Sequence, residues 1–285
     1  MHLKKFLNFF LKKKEVYLIQ SYLDKEFVID IISNENIIGI DTEFDWRNTY
    51  FPKLSLLQIS ASNKILLIDC IKIKDLKFLK NLLEDKKKLI VIHSARSDTT
   101  VLNTNLKIKI KNVFDVQIAE KLISKSEILN YGKIVKKYFS VSLNKSETKS
   151  NWLKRPFTED QLSYAADDVN FLIEIYKKQL KILKKLRLVE RAFQDSEKES
   201  FFGNQDLYIS RLKKIKKASK LEKKIFMWRE KYAEKKNIPP SKIFKDKELK
   251  SVAKEIKNKK YKDDFFKKFF KDSTTLKDFF SEIKI

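Results

Sequence analysis

Cysteine, glycine and arginine are scarce in this chain of 285 residues, and it contains no long apolar run. Its one cysteine, Cys70, excludes an internal disulfide and a cysteine-rich zinc site, and is typical of a reducing cytoplasm. Without an apolar run of about 20 residues, we expect no transmembrane helix and no membrane partner. Residues 1–14 are basic and contain a short apolar segment that ends at a run of lysines. No cleavage site of small residues follows, as a signal peptide would require. We therefore predict a cytoplasmic protein without a signal peptide.

Acidic residues are also in the minority. The chain has 63 Lys and Arg against 38 Asp and Glu, a net charge of +25 and a pI near 9.7. This excess favours a polyanionic partner such as nucleic acid. The alternative is the composition of an AT-rich genome, which also enriches Lys, Ile, Phe and Asn. Only seven of the basic residues are Arg. In a chain whose composition favours Lys, an Arg therefore indicates a site that needs the planar guanidinium group.

The most informative stretch is Ile37-Ile38-Gly39-Ile40-Asp41-Thr42-Glu43-Phe44. Its first four residues predict a buried β-strand, and Gly39 within it indicates a close approach of another backbone. Because side chains alternate along a strand, Asp41 and Glu43 project from the same face. Two carboxylates directed at one point repel each other unless a cation lies between them, so the pair suggests a divalent metal site. A strand that merely ends at the surface is the alternative, and metal binding therefore needs further ligands elsewhere.

The remaining pattern predicts a mixed α/β sheet with helices on both faces and no tandem repeat. The expected elements are helical periodicity over 17–33, strands at 54–61, 65–69, 89–92 and 113–114, a short helix at 75–84 and a helix around 118–122. Ser97 is a candidate cap for a helix that follows strand 89–92. A capping box of Thr158 and Gln161 begins a long helix that we expect to continue to about Lys185.

Two further acids lie where they can complete a metal site. Asp98 follows a predicted strand, on the first turn of the next helix. Asp168 lies on the long helix, four residues after Tyr164, so these two side chains share one face. With Asp41 and Glu43, the two aspartates make a set of hard oxygen ligands suited to two Mg²⁺ or Mn²⁺ ions that cleave a phosphodiester. Tyr164 could then orient the attacking water.

The order of these residues resembles the DEDD 3′→5′ exonucleases of the tyrosine subclass and, more narrowly, the ribonuclease D family. The resembling segments are IGIDTEFDWRNTYFPKLSLLQIS (38–60), VIHSARSDTTVL (91–102) and SLNKSETKSNWLKRPFTEDQLSYAADDVNFL (142–172). The resemblance implies a ribonuclease-H-like mixed sheet flanked by helices. It also implies that Asp41, Glu43, Asp98 and Asp168 bind two divalent ions, and that Tyr164 completes the catalytic set.

Two ambiguities concern this assignment. Asp167 is adjacent to Asp168, and the family's Tyr-x-x-x-Asp spacing selects Asp168. His93, five residues before Asp98, matches the histidine subclass, in which His is the general base and the match at Tyr164 would be chance. We favour the tyrosine subclass because His93 ends a buried strand, where a hydrogen-bonded structural role is more common.

Four residues are predicted to bind substrate. Phe44 is placed to stack on terminal bases, with core packing as the alternative. Gln58 belongs to the resembling stretch and is expected to line the RNA groove. Lys145 or Arg155, just before the catalytic helix, is expected to hold a phosphate. Asp115 is predicted to cap a helix and not to bind metal.

The C-terminal part of the chain is helical in pattern. Polar residues and Gly203 cluster at 195–210, so we predict an exonuclease domain at 1–205 and a helical domain at 206–285. Residues 221–257 resemble an HRDC domain, a small all-α bundle that assists nucleic-acid binding. The family often carries two such domains, whereas this chain has room for one. The phenylalanine-rich tail 261–285 is expected to fold back on the bundle, with a partner-binding helix as the alternative.

The resemblance implies a monomeric exoribonuclease that releases 5′-monophosphates from RNA 3′ ends, with tRNA precursors as the leading substrate. One alternative is the same enzyme acting on single-stranded DNA, because the sequence does not show a reader of the 2′-hydroxyl. Another is an inactive nucleic-acid-binding scaffold. The intact set of four acids and Tyr164 speaks against the scaffold, which usually loses one of them.

Overall fold

The computed structural model describes residues 5–7, 14–125, 128–144, 146–212, 215, 217–258, 263–270 and 272–283. The chain divides into two compact units. The first comprises Met1–Asp45 and Lys53–Gln205, and the second comprises Trp46–Pro52 and Asp206–Ile285. Lys145, predicted above to hold a phosphate, lies outside the described residues.

A seven-stranded sheet of order β1-β2-β5-β4-β3-β6-β7 forms the centre of the first unit. Its strands are β1 Lys5–Leu7, β2 Glu15–Ile19, β3 Ile37–Asp45, β4 Lys53–Ala61, β5 Lys64–Asp69, β6 Leu89–Ile92 and β7 Val113–Asp115. β3, β4 and β5 form an antiparallel meander, and β1 is antiparallel to β2. β2 lies parallel to β5, β6 to β3 and β7 to β6. The predicted mixed sheet is confirmed.

Helices cover both faces of this sheet. They are α1 Lys25–Ser33, α2 Phe78–Leu83, α3 Ala95–Leu106, α4 Val116–Ser124, α5 Tyr131–Phe139, α6 Glu159–Asn170, α7 Leu172–Leu186 and α8 Val189–Gly203. Ile38, Ile40 and Ile59 face the layer formed with α1–α3, and Leu56 and Leu67 face the layer formed with α4–α8. Strand residues thus alternate between two apolar layers.

Three local predictions were wrong. The helical pattern over 17–33 begins with β2, because Val16 and Ile19 face opposite apolar layers and a helix would place them differently. The long helix is interrupted at Phe171, whose N–H donates to the Tyr131 hydroxyl at 3.2 Å as well as to the Val169 carbonyl. Ser97 does not cap α3: the N-cap is Ser94, in the left-handed region.

Gly39 on β3 is a position where a side chain would be tightly packed. A Cβ there would lie 3.0 Å from Cβ of Leu172 and 3.5 Å from Cβ of Ser60. The sequence predicted the approach of another backbone; the atoms that come close belong instead to the side chain of Leu172, on the first turn of α7. The absence of a side chain at residue 39 therefore lets α7 pack directly on β3, just after the helix that carries Asp168.

The second unit is a helical bundle with an aromatic core. Its helices are α9 Leu207–Leu212, α10 Lys220–Lys236, α11 Leu249–Lys257, α12 Asp263–Lys267 and α13 Ser273–Ile283. Trp228 stacks on Tyr232 with ring centroids 5.2 Å apart and contacts Phe279 edge to face. Phe266, Phe270 and Phe279 are buried in this core, as expected for a tail that folds back.

The segment Trp46–Pro52, which joins β3 to β4, belongs to the second unit. Tyr50 is buried in the aromatic core, and the Asn237 side chain accepts hydrogen bonds from the N–H groups of Tyr50 and Phe51 at 3.1 and 3.3 Å. The Arg211 guanidinium lies over the Tyr50 ring, 4.8 Å from its centroid. None of the helices in the described ranges has the length and apolar character needed to cross a membrane.

Candidate active site

Three carboxylates meet at the end of β3. Asp41, Glu43 and Asp168 each offer an oxygen, and these atoms lie within 4.8 Å of one another. They line a pocket of about 410 Å³ together with Tyr164 and His93. The alternation along β3 and the position of α6 over the sheet place the three acids on one face, as the sequence predicts.

Helix α6 supplies the third acid, and its start is fixed by the predicted capping box. The Thr158 hydroxyl accepts from the Gln161 N–H, and the Gln161 side chain accepts from the Thr158 N–H, each at 3.1 Å. α6 then carries Tyr164 and Asp168 on one face, one turn apart. The local signal for the start of this helix thus also sets the register of two site residues.

Asp98 stands beside this cluster and is buried. Its carboxylate accepts a hydrogen bond of 2.6 Å from the hydroxyl of Thr42, the residue between the two acids of β3. The first turn of α3 is held by Asp115, whose carboxylate accepts from the N–H groups of Ser94 and Ala95 at 3.1 and 2.8 Å. Asp115 also caps α4, which confirms the predicted helix cap. The role of Thr42 was not predicted from the sequence, although its position between Asp41 and Glu43 places a hydroxyl group next to the acids.

Burial is the main cause of the raised pKa values of the four carboxyl groups. The pKa of Asp41 is raised well above its ordinary value by burial first, and then by the charges of Asp98, Asp168 and Glu43. Burial first, and then the charges of Asp168 and Asp98, raise the pKa of Glu43 to about 9. Burial raises the pKa of both Asp98 and Asp168 to about 7. A cluster of this kind carries its full negative charge at neutral pH only when a cation compensates it.

The donor set fits hard divalent cations. It consists of carboxylate oxygens without sulfur or imidazole, which suits Mg²⁺ or Mn²⁺ and not a structural zinc ion. A cation among these acids offsets both the cost of burying their charges and their mutual repulsion. The arrangement can therefore hold divalent metal at the edge of a pocket large enough for a nucleotide end.

Comparison with known proteins agrees with this chemistry. The family model described as 3′-5′ exonuclease matches residues 18–184, and the HRDC domain model matches residues 218–259. A ribonuclease D from Desulfotalea psychrophila is 30% identical over 255 residues, covering 84% of this chain and 67% of that protein. The chain belongs to the ribonuclease D family. The family, enzyme class and HRDC region predicted from the sequence are confirmed.

Further relatives extend this assignment. A ribonuclease D from Bartonella henselae is 33% identical over 244 residues, and this chain spans 60% of its length. The crystal structure of Escherichia coli RNase D has a TM-score of 0.78 at 21% identity, covering 94% of this chain and 74% of that one. Brucella melitensis NrnC with bound Mg²⁺ has a TM-score of 0.54 at 23% identity, covering 63% and 92%. These structural matches confirm the ribonuclease-H-like fold.

Tyr164 lies next to Asp168, as expected for the tyrosine subclass of the family. Its pKa is raised by burial first and then by the charge of Asp168. The phenol therefore keeps its proton at neutral pH and acts as a hydrogen-bond donor, not as a base. Its hydroxyl lies 3.4 Å from the Thr148 hydroxyl, and its ring packs near Trp152.

His93, the alternative general base, lines the same pocket but is tied to the protein. Its Nε2 lies 3.2 Å from the Leu129 carbonyl oxygen and 3.2 Å from the Gln117 side-chain nitrogen. Burial lowers the pKa of His93, so the ring is neutral at physiological pH. This environment favours the structural role over that of a base.

Two predicted substrate contacts on β3 and β4 have different surroundings. Phe44 follows an irregularity of the β3–β4 register between Glu43 and Phe44, and it packs partly against the α1–α3 layer. Gln58 is completely buried, with 0% of its side chain exposed, so it does not line an RNA groove. The prediction for Gln58 is corrected: it lies inside the sheet, directly opposite Asp41.

Arg155 is also placed differently from the prediction. Its guanidinium forms two 2.8 Å hydrogen bonds with the carboxylate of Asp69 and others with Ser55 and the Trp152 carbonyl. It also lies over the Phe157 ring, 3.7 Å from the centroid. Burial opposes ionisation of Asp69, but Arg155 and the N–H groups of Lys72 and Ile71 together outweigh it and lower the pKa of Asp69. The planar fork of this rare Arg is needed, as expected, but for a buried ion pair and not for a phosphate.

Proposed function

We propose that this chain is a metal-dependent 3′→5′ exoribonuclease that removes single nucleotides, as 5′-monophosphates, from RNA 3′ ends. tRNA precursors are the proposed substrate class, and we propose that the protein acts as a cytoplasmic monomer. The observation that carries the proposal is the convergence of Asp41, Glu43 and Asp168, with Asp98 beside them, in a chain of the ribonuclease D family.

The metal site proposed here consists of Asp41, Glu43, Asp98 and Asp168, holding two Mg²⁺ or Mn²⁺ ions. When bound, these ions supply an activated water and offset the charge that develops on the phosphate. The hydrogen bond from Thr42 fixes Asp98, and the capped start of α6 fixes Asp168. Because these supports are present in the protein itself, the ligands need little rearrangement to act together.

Tyr164 is proposed to orient the attacking water. A phenol that remains protonated donates its hydrogen bond to the water or to a phosphate oxygen, and its neighbour Asp168 holds it in place. Base-stacking by the exposed part of Phe44 remains part of the proposal, because its ring is only partly buried.

The proposed domain organisation is an exonuclease domain at 1–205 followed by an HRDC-like RNA-binding domain at 206–285. The unit boundary between Gln205 and Asp206 and the match of the HRDC model to 218–259 support it. The net charge of +25 supports binding to a polyanion.

The proposal is tested with a 5′-labelled tRNA extended at its 3′ end. We expect a ladder of products shortened one nucleotide at a time, which requires Mg²⁺ or Mn²⁺ and disappears in EDTA. A DNA oligonucleotide matched to the 3′ extension, compared with the RNA version at equal concentration, measures sugar preference. Equal degradation of both would favour the single-stranded DNA alternative, and no degradation of either would favour an inactive scaffold.

Replacing Tyr164 by Phe, and His93 by Asn, tests whether the enzyme follows the tyrosine or the histidine subclass of the mechanism. We expect Tyr164→Phe to lower kcat by about 10²–10³-fold, the usual cost of removing one positioned hydrogen-bond donor, while metal binding is retained. His93→Asn should cost much less, because His93 Nε2 is engaged by the protein. Single-turnover cleavage of the labelled RNA measures both variants. A larger loss for His93→Asn than for Tyr164→Phe would contradict the tyrosine assignment.

A further inference from the structure

Gln58 occupies an unusual place for a polar side chain. On β4 it is paired directly with Asp41 of β3 on one side and with Leu67 of β5 on the other. Its neighbour Ile59 faces the α1–α3 layer, and Leu56, two residues away, faces the α4–α8 layer. By alternation Gln58 shares the face of Leu56, beneath the helix α6 that carries Asp168.

The amide of Gln58 is buried without a partner. Its side chain is 0% exposed, and neither Nε2 nor Oε1 has a hydrogen-bond partner among the residues that the structure describes. A buried amide in this state lowers the free energy of unfolding, and such groups are rare in folded proteins. An apolar residue of similar size would serve the core better, so packing does not account for Gln58.

Asp41 is the polar group that the sheet places beside this amide. Residues directly opposite each other in an antiparallel pair have Cβ atoms about 4.5–5.5 Å apart, within reach of a Gln side chain. The other direct neighbour, Leu67, is apolar. We infer that Gln58 is a positioning residue whose Nε2–H donates to the carboxylate of Asp41 when Asp41 binds metal, and that this bond fixes the orientation of that ligand.

This inference rests on the proposed metal-dependent function. It adds a residue that does not bind metal itself but orients one of the ligands. A carboxylate that is free to rotate binds metal less well than one held by a neighbouring donor. Loss of such outer partners typically costs about 10–100-fold in metal affinity or activity. Gln58 would therefore lower the stability of the metal-free protein and improve the metal site.

The test compares Gln58→Met and Gln58→Leu with the wild-type chain of 285 residues. We expect the dissociation constant for Mn²⁺, measured by EPR of the free ion, to rise about 10–100-fold. The melting temperature in EDTA should stay the same or rise, because the unpartnered amide is gone. RNA cleavage should fall at limiting Mn²⁺ and recover at high Mn²⁺. The matched control is Leu67→Met, which changes the packing on the other side of Gln58 and should leave Mn²⁺ binding unchanged.

The possible outcomes separate this inference from the function itself. Wild-type affinity for Mn²⁺ in both Gln58 variants would overturn the inference and leave the proposed function intact. A lower melting temperature of both variants in EDTA would show that the amide supports the metal-free fold, which also overturns it. A wild-type chain that binds no Mn²⁺ would overturn the metal-dependent function and the inference together.

Discussion

Asp41→Asn is expected to abolish nucleotide release while leaving RNA binding intact. The amide keeps the shape of the side chain but is a much weaker ligand for a divalent ion than a carboxylate. Because metal ions contribute several kcal/mol of transition-state stabilisation, we expect a loss of at least about 10³-fold in the cleavage rate. Degradation of labelled RNA measures the loss, and a gel shift with the same RNA measures binding.

The same substitution should change stability in the opposite direction. Asp41 is buried among like charges, so its replacement by a neutral side chain should raise the melting temperature in EDTA and reduce the further rise on adding Mg²⁺. Asp167→Asn is the matched control: it removes the same charge next to Asp168, from a residue outside the acid cluster, and should preserve cleavage. Retained cleavage by Asp41→Asn would show that the chemistry lies elsewhere.

Local geometry explains which parts of the site could be predicted from the sequence. Asp41 and Glu43 share a face because a strand alternates, and Tyr164 and Asp168 share one because a helix turns about 100° per residue. The capping box at Thr158 fixed the start of α6 within one residue. In each case the spacing in the sequence determines the direction of the side chains.

The errors arose where distant parts of the chain decide the outcome. The partner of Arg155 is Asp69, 86 residues earlier, and no local pattern links the two. Gln58 is predicted to line an RNA groove because it belongs to the resembling stretch, but it is buried in β4, which α6 contacts from much later in the sequence. The burial of Tyr50 in the core of the second unit likewise has no local signal, because the helices that surround it come from the C-terminal part of the chain.

Stability in the absence of metal should fall as the pH rises from 5 to 8. The carboxyl groups of Asp98 and Asp168 have pKa values raised to about 7, and that of Glu43 to about 9, whereas in the unfolded chain they titrate near 4. Between these values the folded protein keeps protons that the unfolded chain has released. Their contribution to stability is therefore complete below pH 4 and is lost as the pH rises. Each such proton lowers the free energy of unfolding by about 1.4 kcal/mol per pH unit.

Mg²⁺ should oppose this decline, because the ionised acids that destabilise the metal-free fold are the ligands that the cation needs. The dissociation constant for Mg²⁺ should accordingly fall as the pH rises, since binding displaces the same protons. Melting curves from pH 5 to 8, in EDTA and in Mg²⁺, measure both effects, and Glu43→Gln isolates the cluster from other titrating groups. The EDTA curve of Glu43→Gln should be flatter than that of the wild type. Parallel curves would mean that these carboxyl groups are ionised without a cation, and the electrostatic basis of the metal site would be wrong.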